Sequence, residues 1–163
     1  MTPSKTHALI LGVGNPLRGD DGIGPAVIGW LRERDLPTHA IALDGGTTGL
    51  DLVLTLEGHQ RAIIIDAADA GCAPGEWVRF MLDAVYLKET ELGLSLHTAG
   101  LADALALGAA LGTLPAQVVI YGVQPAQLVR TMGLSNHVQR AVPLVGRAVL
   151  QEVEGHYGKN PNH

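Results

Sequence analysis

Short apolar runs separated by turn residues make up most of this chain. A continuous apolar run, His7–Val13, predicts a strand that is buried on both faces. Further strands are predicted at Ala40–Leu43, Arg61–Ile65 and Gln117–Val123. A partly alternating run, Glu76–Leu82, predicts an antiparallel edge strand. Apolar residues at helical spacing predict helices at Gly22–Arg34, Leu50–Glu57, Thr98–Leu111 and Asn136–Glu154.

The ends of these elements carry further signals. The turn-forming stretch Asp44-Gly45-Gly46 is predicted to stop the second strand, and Asp66 to end the third. Ser135 is expected to cap the last helix, whereas Tyr157–His163 is expected to be a loose tail. The helix at Thr98–Leu111 is apolar nearly all round, which predicts burial on most of its faces.

Strands that alternate with helices predict an α/β fold with a largely parallel sheet covered on both faces. The 163 residues are expected to form a single domain, 1–163, with its core at about residues 7–155 and a flexible C-terminal tail. In such sheets, ligands bind at the carboxyl ends of the strands. The residues that follow each strand are therefore the candidates for chemistry.

Composition narrows the class of protein. Apolar residues make up 47% and charged residues 17%, with a mean hydropathy of +0.21, which excludes intrinsic disorder. No apolar run approaches the roughly 20 residues that a membrane span requires. A net charge of −5 leaves no basic surface for nucleic acid. The single cysteine, Cys72, and an N-terminus without a signal cleavage site predict a reduced, cytoplasmic protein.

Unusual residues follow the predicted strands. GVGNPLRGDDGIG, Gly12–Gly24, follows the first strand, and DGGTTG, Asp44–Gly49, follows the second. Asp66 stands at the end of the third, and His97 precedes the apolar helix within SLHTAG. Because the carboxyl ends of parallel strands meet at one edge of the sheet, we expect several carboxylates and one imidazole to converge there.

The glycine-rich turn only partly matches a dinucleotide-binding pattern. Gly12 and Gly14 begin such a pattern, but Leu17 stands where its third glycine belongs. Asp20 and Asp21 would also repel a pyrophosphate. Nucleotide binding is therefore disfavoured.

A metal suits the same residues better. Asp21, Asp66 and His97 form a mixed oxygen and nitrogen set, which suits a borderline divalent ion such as nickel or zinc with coordination positions left open. Each residue also has a structural interpretation: Asp21 at a helix N-terminus, Asp66 in a turn, and His97 as a satisfied rim residue. A weaker alternative is Cys72 as a nucleophile with His97 as its base, because no helix N-terminus is evident to lower the pKa of that thiol.

These motifs together resemble the hydrogenase maturation endopeptidases, which remove a C-terminal extension from the large subunit of nickel–iron hydrogenases. The resemblance runs from about Leu9 to Val149 and is carried, in order, by GVGNPLRGDDGIG, DGGTTG, IIIDAADAG, SLHTAGLADAL, YGVQP and GLS. It implies a three-layer α/β/α sandwich with a twisted, mostly parallel five-stranded sheet.

The resemblance also implies roles for single residues. The family's metal-recognition ligands fall on Asp21, Asp66 and His97, and the nickel is expected to arrive already inserted in the precursor. Some members have Glu where this chain has Asp21, which is shorter by one methylene. An aspartic-type endopeptidase is implied, with Asp21, Asp66 and Asp44 as its catalytic carboxylates. Substrate recognition is implied for Gly45, Gly46 and Thr47.

The resemblance leaves the chemistry of cleavage open. Hydrolysis could use a carbonyl polarised by the metal or a metal-bound water, or it could use Asp21 and Asp66 as an acid/base pair. The expected partner is the precursor of a hydrogenase large subunit, approached by a monomer. Two rival functions remain: a non-catalytic nickel-sensing chaperone of that precursor, and a small-molecule metallohydrolase.

Overall fold

Strands and helices alternate along the computed structural model, which describes residues 7–47, 49–82, 95–96, 101–126 and 131–158. The strands are β1 (Ala8–Val13), β2 (Ala40–Gly46), β3 (Arg61–Asp69), β4 (Trp77–Met81), β5 (Ser95–Leu96) and β6 (Gln117–Val123). The helices are α1 (Ile23–Arg32), α2 (Gly49–Leu56), α3 (Leu101–Leu111) and α4 (Asn136–Gly158). A short 3₁₀-helix, Gly19–Gly22, precedes α1. Every predicted strand and helix has a counterpart among these elements.

The sheet has the order β2-β1-β3-β6-β4. β1 pairs in parallel with β2 and β3, and β3 pairs in parallel with β6. β4 runs antiparallel to β6 at the edge, as predicted. The two-residue strand β5 pairs with the end of β3 and lies outside this order. The mostly parallel five-stranded sheet is thus confirmed, and the carboxyl ends of β2, β1, β3 and β6 lie at one edge.

Two apolar cores cover the two faces of this sheet. Side chains of β1 alternate between them: Ile10 packs with α1 and α4, whereas Leu9 and Leu11 pack with α2 and α3. Every residue of β1 is therefore buried, which is why it is a continuous apolar run. The resulting layers, helices on both faces of a sheet, confirm the three-layer α/β/α architecture. No helix of the described residues is long and apolar enough to cross a membrane.

Two strands extend past the polar residues that were predicted to end them. β2 continues through Asp44 to Gly46, because its pairing with β1 continues across an irregularity between Gly12 and Val13. β3 continues through Asp66 to Asp69, because β6 offers partners up to Val123 and β5 pairs with its last residues. The prediction that a polar residue ends each strand was wrong, since partners across the sheet decide strand length.

The predicted burial of the apolar helix on most faces was also wrong. In α3, Leu101, Ala104, Leu105 and Gly108 are buried, but Leu111 is 61% exposed. The helix forms an outer layer beside α2, so only one face meets the core. Ala and Leu on both faces conceal this from a periodicity analysis. Residues 98–100 of the predicted helix lie outside the described residues.

The remaining helix boundaries differ slightly from prediction. Pro25 lies in the first turn of α1, where its missing N–H costs no helical hydrogen bond. α4 continues past Glu154 to Gly158, so the first two residues of the predicted tail are helical. The rest of that tail, 159–163, lies outside the described residues.

Glu152 connects α4 to three strands. Its carboxylate accepts hydrogen bonds from Arg61 of β3 at 2.8 Å, from Arg79 of β4 and from the Tyr121 hydroxyl of β6. Burial alone raises the pKa of Glu152, but the hydrogen bonds from Arg79 and Tyr121 and the charges of Arg79 and Arg61 outweigh it and hold the pKa below its ordinary value. The ionised carboxylate therefore stabilises the docking of α4 on the sheet.

This lowered pKa predicts a pH-dependent stability. The unfolded chain has a Glu pKa of about 4.3, so the contribution of ionised Glu152 is complete above that value and is lost as the pH falls through the lower folded-state pKa. Glu152→Gln is expected to lower the free energy of unfolding by roughly 3 kcal/mol near neutral pH, because it breaks buried ion pairs. Toward acidic pH, the difference from the wild type should shrink. Urea unfolding followed by circular dichroism across the acidic range measures both effects.

Glu154→Gln is the matched control, because Glu154 is exposed two residues further along the same helix. It should leave the free energy of unfolding within about 0.5 kcal/mol of the wild type at every pH. A Glu152→Gln difference that stayed constant down to strongly acidic pH would contradict the role assigned to the ionised carboxylate.

Candidate active site

In the turn after β1, the backbone at the start of α1 lies against the backbone at the ends of β1 and β3. A Cβ on Gly24 would lie 2.3 Å from the carbonyl oxygen of Val13 and 2.6 Å from that of Ile65. A Cβ on Gly14, whose φ is 131°, would lie 2.0 Å from the carbonyl oxygen of Asp21. No side chain fits at either contact. The start of α1 therefore lies directly against the ends of β1 and β3.

Asp21 lies in the 3₁₀-helix at this contact and is only 4% exposed. Its Oδ2 accepts a hydrogen bond of 2.8 Å from the backbone N–H of Asn15. Its Oδ1 is buried and has no hydrogen-bond partner among the described residues. A buried carboxylate oxygen without a donor costs free energy, so it marks a position for an incoming ligand or proton.

Asp66 lies in the neighbouring strand and is fully buried. Within β3 it pairs with Gly122 of β6, and the 3₁₀-helix that carries Asp21 contacts the same strand. Asp21 and Asp66 thus share the carboxyl edge of the sheet, as the sequence predicted. Two acidic side chains that are shielded from water at one edge can hold a cation or exchange a proton.

Asp44 lies at the same edge but on β2, which β1 separates from β3. Its side chain is exposed, and its Oδ1 accepts a hydrogen bond of 2.9 Å from the backbone N–H of Gly46 within the same turn. Asp44 therefore shapes its own turn and remains open to solvent. Its environment differs from that of Asp21 and Asp66.

His97 lies outside the described residues. The chain just before it is placed, because Leu96 pairs with Ala68, two residues after Asp66. No group of three His, Cys, Asp or Glu side chains that could hold a metal ion occurs in the described ranges, which omit His97. The three-ligand set of Asp21, Asp66 and His97 therefore stays a prediction.

The residues implied in substrate recognition lie at the end of β2: Gly45 and Gly46 are its last two residues and are half-buried, and Thr47 follows it. A Cβ on Gly45 would lie 2.9 Å from Cδ1 of Leu11 and 3.0 Å from Cδ2 of Leu52. Gly46 has a φ of +64°, and Thr47 is exposed in the turn that follows. The backbone of Gly46 is held on both sides, because its N–H donates to Asp44 and its carbonyl accepts from the Gly14 N–H.

Asp20 is a functional candidate that the sequence analysis missed. It is fully buried, and its carboxylate accepts hydrogen bonds from the backbone N–H groups of Ala126 and Ser135 and from the Ser135 hydroxyl. Ser135 directly precedes α4, as expected of its cap, and its backbone carbonyl accepts a hydrogen bond from the Gln139 N–H, while its hydroxyl donates to Asp20. The signal in the sequence was the doubled Asp20-Asp21, since two adjacent buried carboxylates need two separate sets of partners.

Cys72 does not have the environment of a nucleophile. Burial, and then the negative charge of Glu76, raises the pKa of its thiol. The thiol lies 3.9 Å from Oε1 of Gln124 as a weak donor. The weaker alternative of a cysteine nucleophile is accordingly disfavoured.

Comparisons with known proteins agree on one group of relatives. A family model described as "HycI: Hydrogenase maturation protease" matches residues 26–152. Hydrogenase expression/formation protein HupM of Azotobacter chroococcum is 40% identical over 129 residues, which are 78% of this chain and 62% of HupM. The hydrogenase 2 maturation protease of Escherichia coli is 34% identical over 136 residues, which are 82% of each chain.

A solved structure of the E. coli hydrogenase maturating endopeptidase HybD matches with a TM-score of 0.80 and 29% identity, covering 93% of this chain and 94% of HybD. HybD from Thermococcus kodakarensis matches with a TM-score of 0.74 and 26% identity, covering 91% and 99%. The chain spans about 60% of the length of HupM and of HoxM from Azotobacter vinelandii. The family model matches from residue 26 onward, so Asp20 and Asp21 lie outside its match.

The positive φ of Gly46 predicts the effect of a substitution there. Gly46→Val should lower the free energy of unfolding by about 1–2 kcal/mol, because a β-branched residue is strained in the left-handed region. Apart from Gly46 and its two chain neighbours, no described residue has an atom within 4 Å of the added Cβ, so strain and not collision causes the loss. Gly46→Asn is the control, since Asn tolerates this conformation and should lose less. Urea unfolding compares the two variants, and a Val variant as stable as the wild type would show that the turn is not constrained.

Proposed function

The chain belongs to the family of hydrogenase maturation proteases, and we propose that it is itself an endopeptidase. Its substrate is the nickel-loaded precursor of a nickel–iron hydrogenase large subunit, from which it removes the C-terminal extension. It acts as a monomer in the cytoplasm. The single observation that carries this proposal is the buried Oδ1 of Asp21, which has no donor from the described chain and lies at the same sheet edge as the buried Asp66.

The nickel belongs to the substrate. The carboxylates of Asp21 and Asp66 and the imidazole of His97 together suit a borderline divalent ion. They would complete the coordination of a nickel ion that the precursor leaves incompletely coordinated. The Oδ1 of Asp21 supports this fit, because the described residues give it no donor and a cation would give it a partner. Reading the metal in this way would restrict cleavage to precursors whose assembly is complete.

Hydrolysis of the peptide bond needs two proton transfers. A water molecule adds to the scissile carbonyl and gives up a proton, and the departing amine takes one. Asp21 and Asp66 are shielded from bulk water at the same edge, which supports the pair as the acid and base of an aspartic-type reaction. A substrate metal that polarised the carbonyl would lower the barrier to the same attack.

The position of β2 supports a role in holding the substrate chain. β2 is an edge strand, and Gly45, Gly46 and Thr47 lie at its end, so an extended peptide could pair with main-chain groups on the side of β2 that faces away from β1. Asp44 lies beside them and is open to solvent, so it is the third carboxylate within reach of a peptide bound along this edge.

Mass spectrometry of the precursor tests the activity and the metal requirement together. The cognate large-subunit precursor is incubated with this protein in nickel-loaded and nickel-free forms. Loss of a C-terminal peptide from the nickel-loaded form alone is expected. Cleavage of both forms would retain the protease and discard nickel reading. A stable complex without cleavage would favour the chaperone, and turnover of a free small substrate instead would favour the metallohydrolase.

Substitution of the site residues separates reading of the metal from folding. Asp21→Asn and His97→Ala are each expected to lower the cleavage rate by at least about 100-fold, because each removes a group from the substrate's metal or from proton transfer. Asp35→Asn and His7→Ala are the matched controls, since both side chains are exposed away from the carboxyl edge. Circular dichroism should show all four variants folded, and near-normal cleavage by His97→Ala would remove its assigned role.

A further inference from the structure

Asp20 is a charged side chain that lies entirely inside the protein. Its Oδ1 accepts a hydrogen bond of 2.7 Å from the backbone N–H of Ser135. Its Oδ2 accepts hydrogen bonds of 2.8 Å from the backbone N–H of Ala126 and 2.8 Å from the Ser135 hydroxyl. Hydrogen bonds to an ionised acceptor are about twice as strong as those between neutral groups.

These three hydrogen bonds join distant parts of the chain. Ala126 follows β6 and Ser135 precedes α4, so one carboxylate fixes both ends of the connection between them to the 3₁₀-helix. A backbone hydrogen bond of 2.8 Å from Gly19 to Thr131 adds to the same junction. The 3₁₀-helix is thus held both by this junction and by its contact with β3.

Asp21 is the next residue in the same turn. Successive residues of a 3₁₀-helix point about a third of a turn apart, so Asp20 can face the α4 side while Asp21 faces another. Among the described residues, one donor holds the Asp21 carboxylate, the Asn15 backbone N–H. Its placement therefore depends on where the short helix itself is fixed.

We propose that Asp20 is the positioning residue for Asp21. By fixing the 3₁₀-helix to the connection between β6 and α4, Asp20 holds the Asp21 carboxylate at the position where the substrate is cut. Being fully buried, Asp20 does not reach the substrate, and it acts only through its neighbour. The kinetic part of this proposal rests on the proposed function, whereas its structural part does not.

Amide hydrogen exchange and cleavage kinetics of the whole protein test the proposal together. Asp20→Asn keeps the shape of the side chain but replaces one carboxylate oxygen with an NH₂ group. Either the Ala126 or the Ser135 backbone N–H then loses its acceptor. We expect faster exchange of the Asn15 amide, which donates to Asp21, and a fall in kcat of about 10- to 100-fold at saturating precursor. KM should change by less than about threefold, because binding groups on β2 are untouched. Rates are taken per folded molecule, from circular dichroism at the same temperature.

Ser135→Ala and Asp35→Asn complete the series. Ser135→Ala removes only the hydroxyl donor, so it should shift Asn15 exchange and kcat in the same direction by less, whereas the exposed Asp35→Asn should shift neither. The proposal would be overturned if Asp20→Asn kept the wild-type Asn15 exchange rate and the wild-type kcat, with faster exchange only at Ala126 and Ser135. If Asp20→Asn does not fold, wild-type Asn15 exchange in Ser135→Ala overturns it. If the wild-type protein cuts no precursor, the proposed function fails, and Asn15 exchange still decides the role of Asp20.

Discussion

The candidate site depends on the close approach between the start of α1 and the carboxyl ends of β1 and β3. Gly24 lies so near the carbonyl oxygens of Val13 and Ile65 that no Cβ could stand between them. Because the backbones meet directly, the 3₁₀-helix before α1 is placed against β3, and its carboxylates come to the strand ends. A wider turn would leave Asp21 in solvent and separate it from Asp66.

Within that turn, two adjacent aspartates have unequal surroundings. Both oxygens of Asp20 accept hydrogen bonds from the residues around α4, whereas one oxygen of Asp21 lacks a donor in the described chain. A protein can keep a buried carboxylate without loss when its hydrogen bonds are made. The hydrogen bonds of Asp20 therefore support the turn, whereas Asp21 keeps an oxygen for which the described residues supply no donor. Because Asp20 and Asp21 are adjacent in this turn, the hydrogen bonds that fix Asp20 also fix the backbone that carries Asp21.

The far end of α4 shows a different solution for a buried charge. Glu152 gathers Arg61, Arg79 and Tyr121 from three strands, so its charge is balanced inside the fold. α4 is consequently fixed at its start, through Ser135 and Asp20, and near its end, through Glu152. At the carboxyl edge of the sheet, by contrast, Asp21 keeps an oxygen for which the described residues supply no partner.

The sequence by itself determined the order and type of the elements, since continuous apolar runs such as His7–Val13 fit only strands covered on both faces. It also determined that Asp21 and Asp66 lie at one edge, because parallel strands bring their ends together. Only the tertiary structure decided how far β2 and β3 extend and which face of α3 is exposed. It also decided that both oxygens of Asp20 accept hydrogen bonds, whereas one oxygen of Asp21 has no donor among the described residues. Those features depend on partners distant in the chain: β6 for the end of β3, and Ser135 for Asp20, 115 residues away. The local sequence pattern predicts which element a segment forms. Strand pairing and hydrogen bonds to distant residues decide where the element ends and which polar groups have partners.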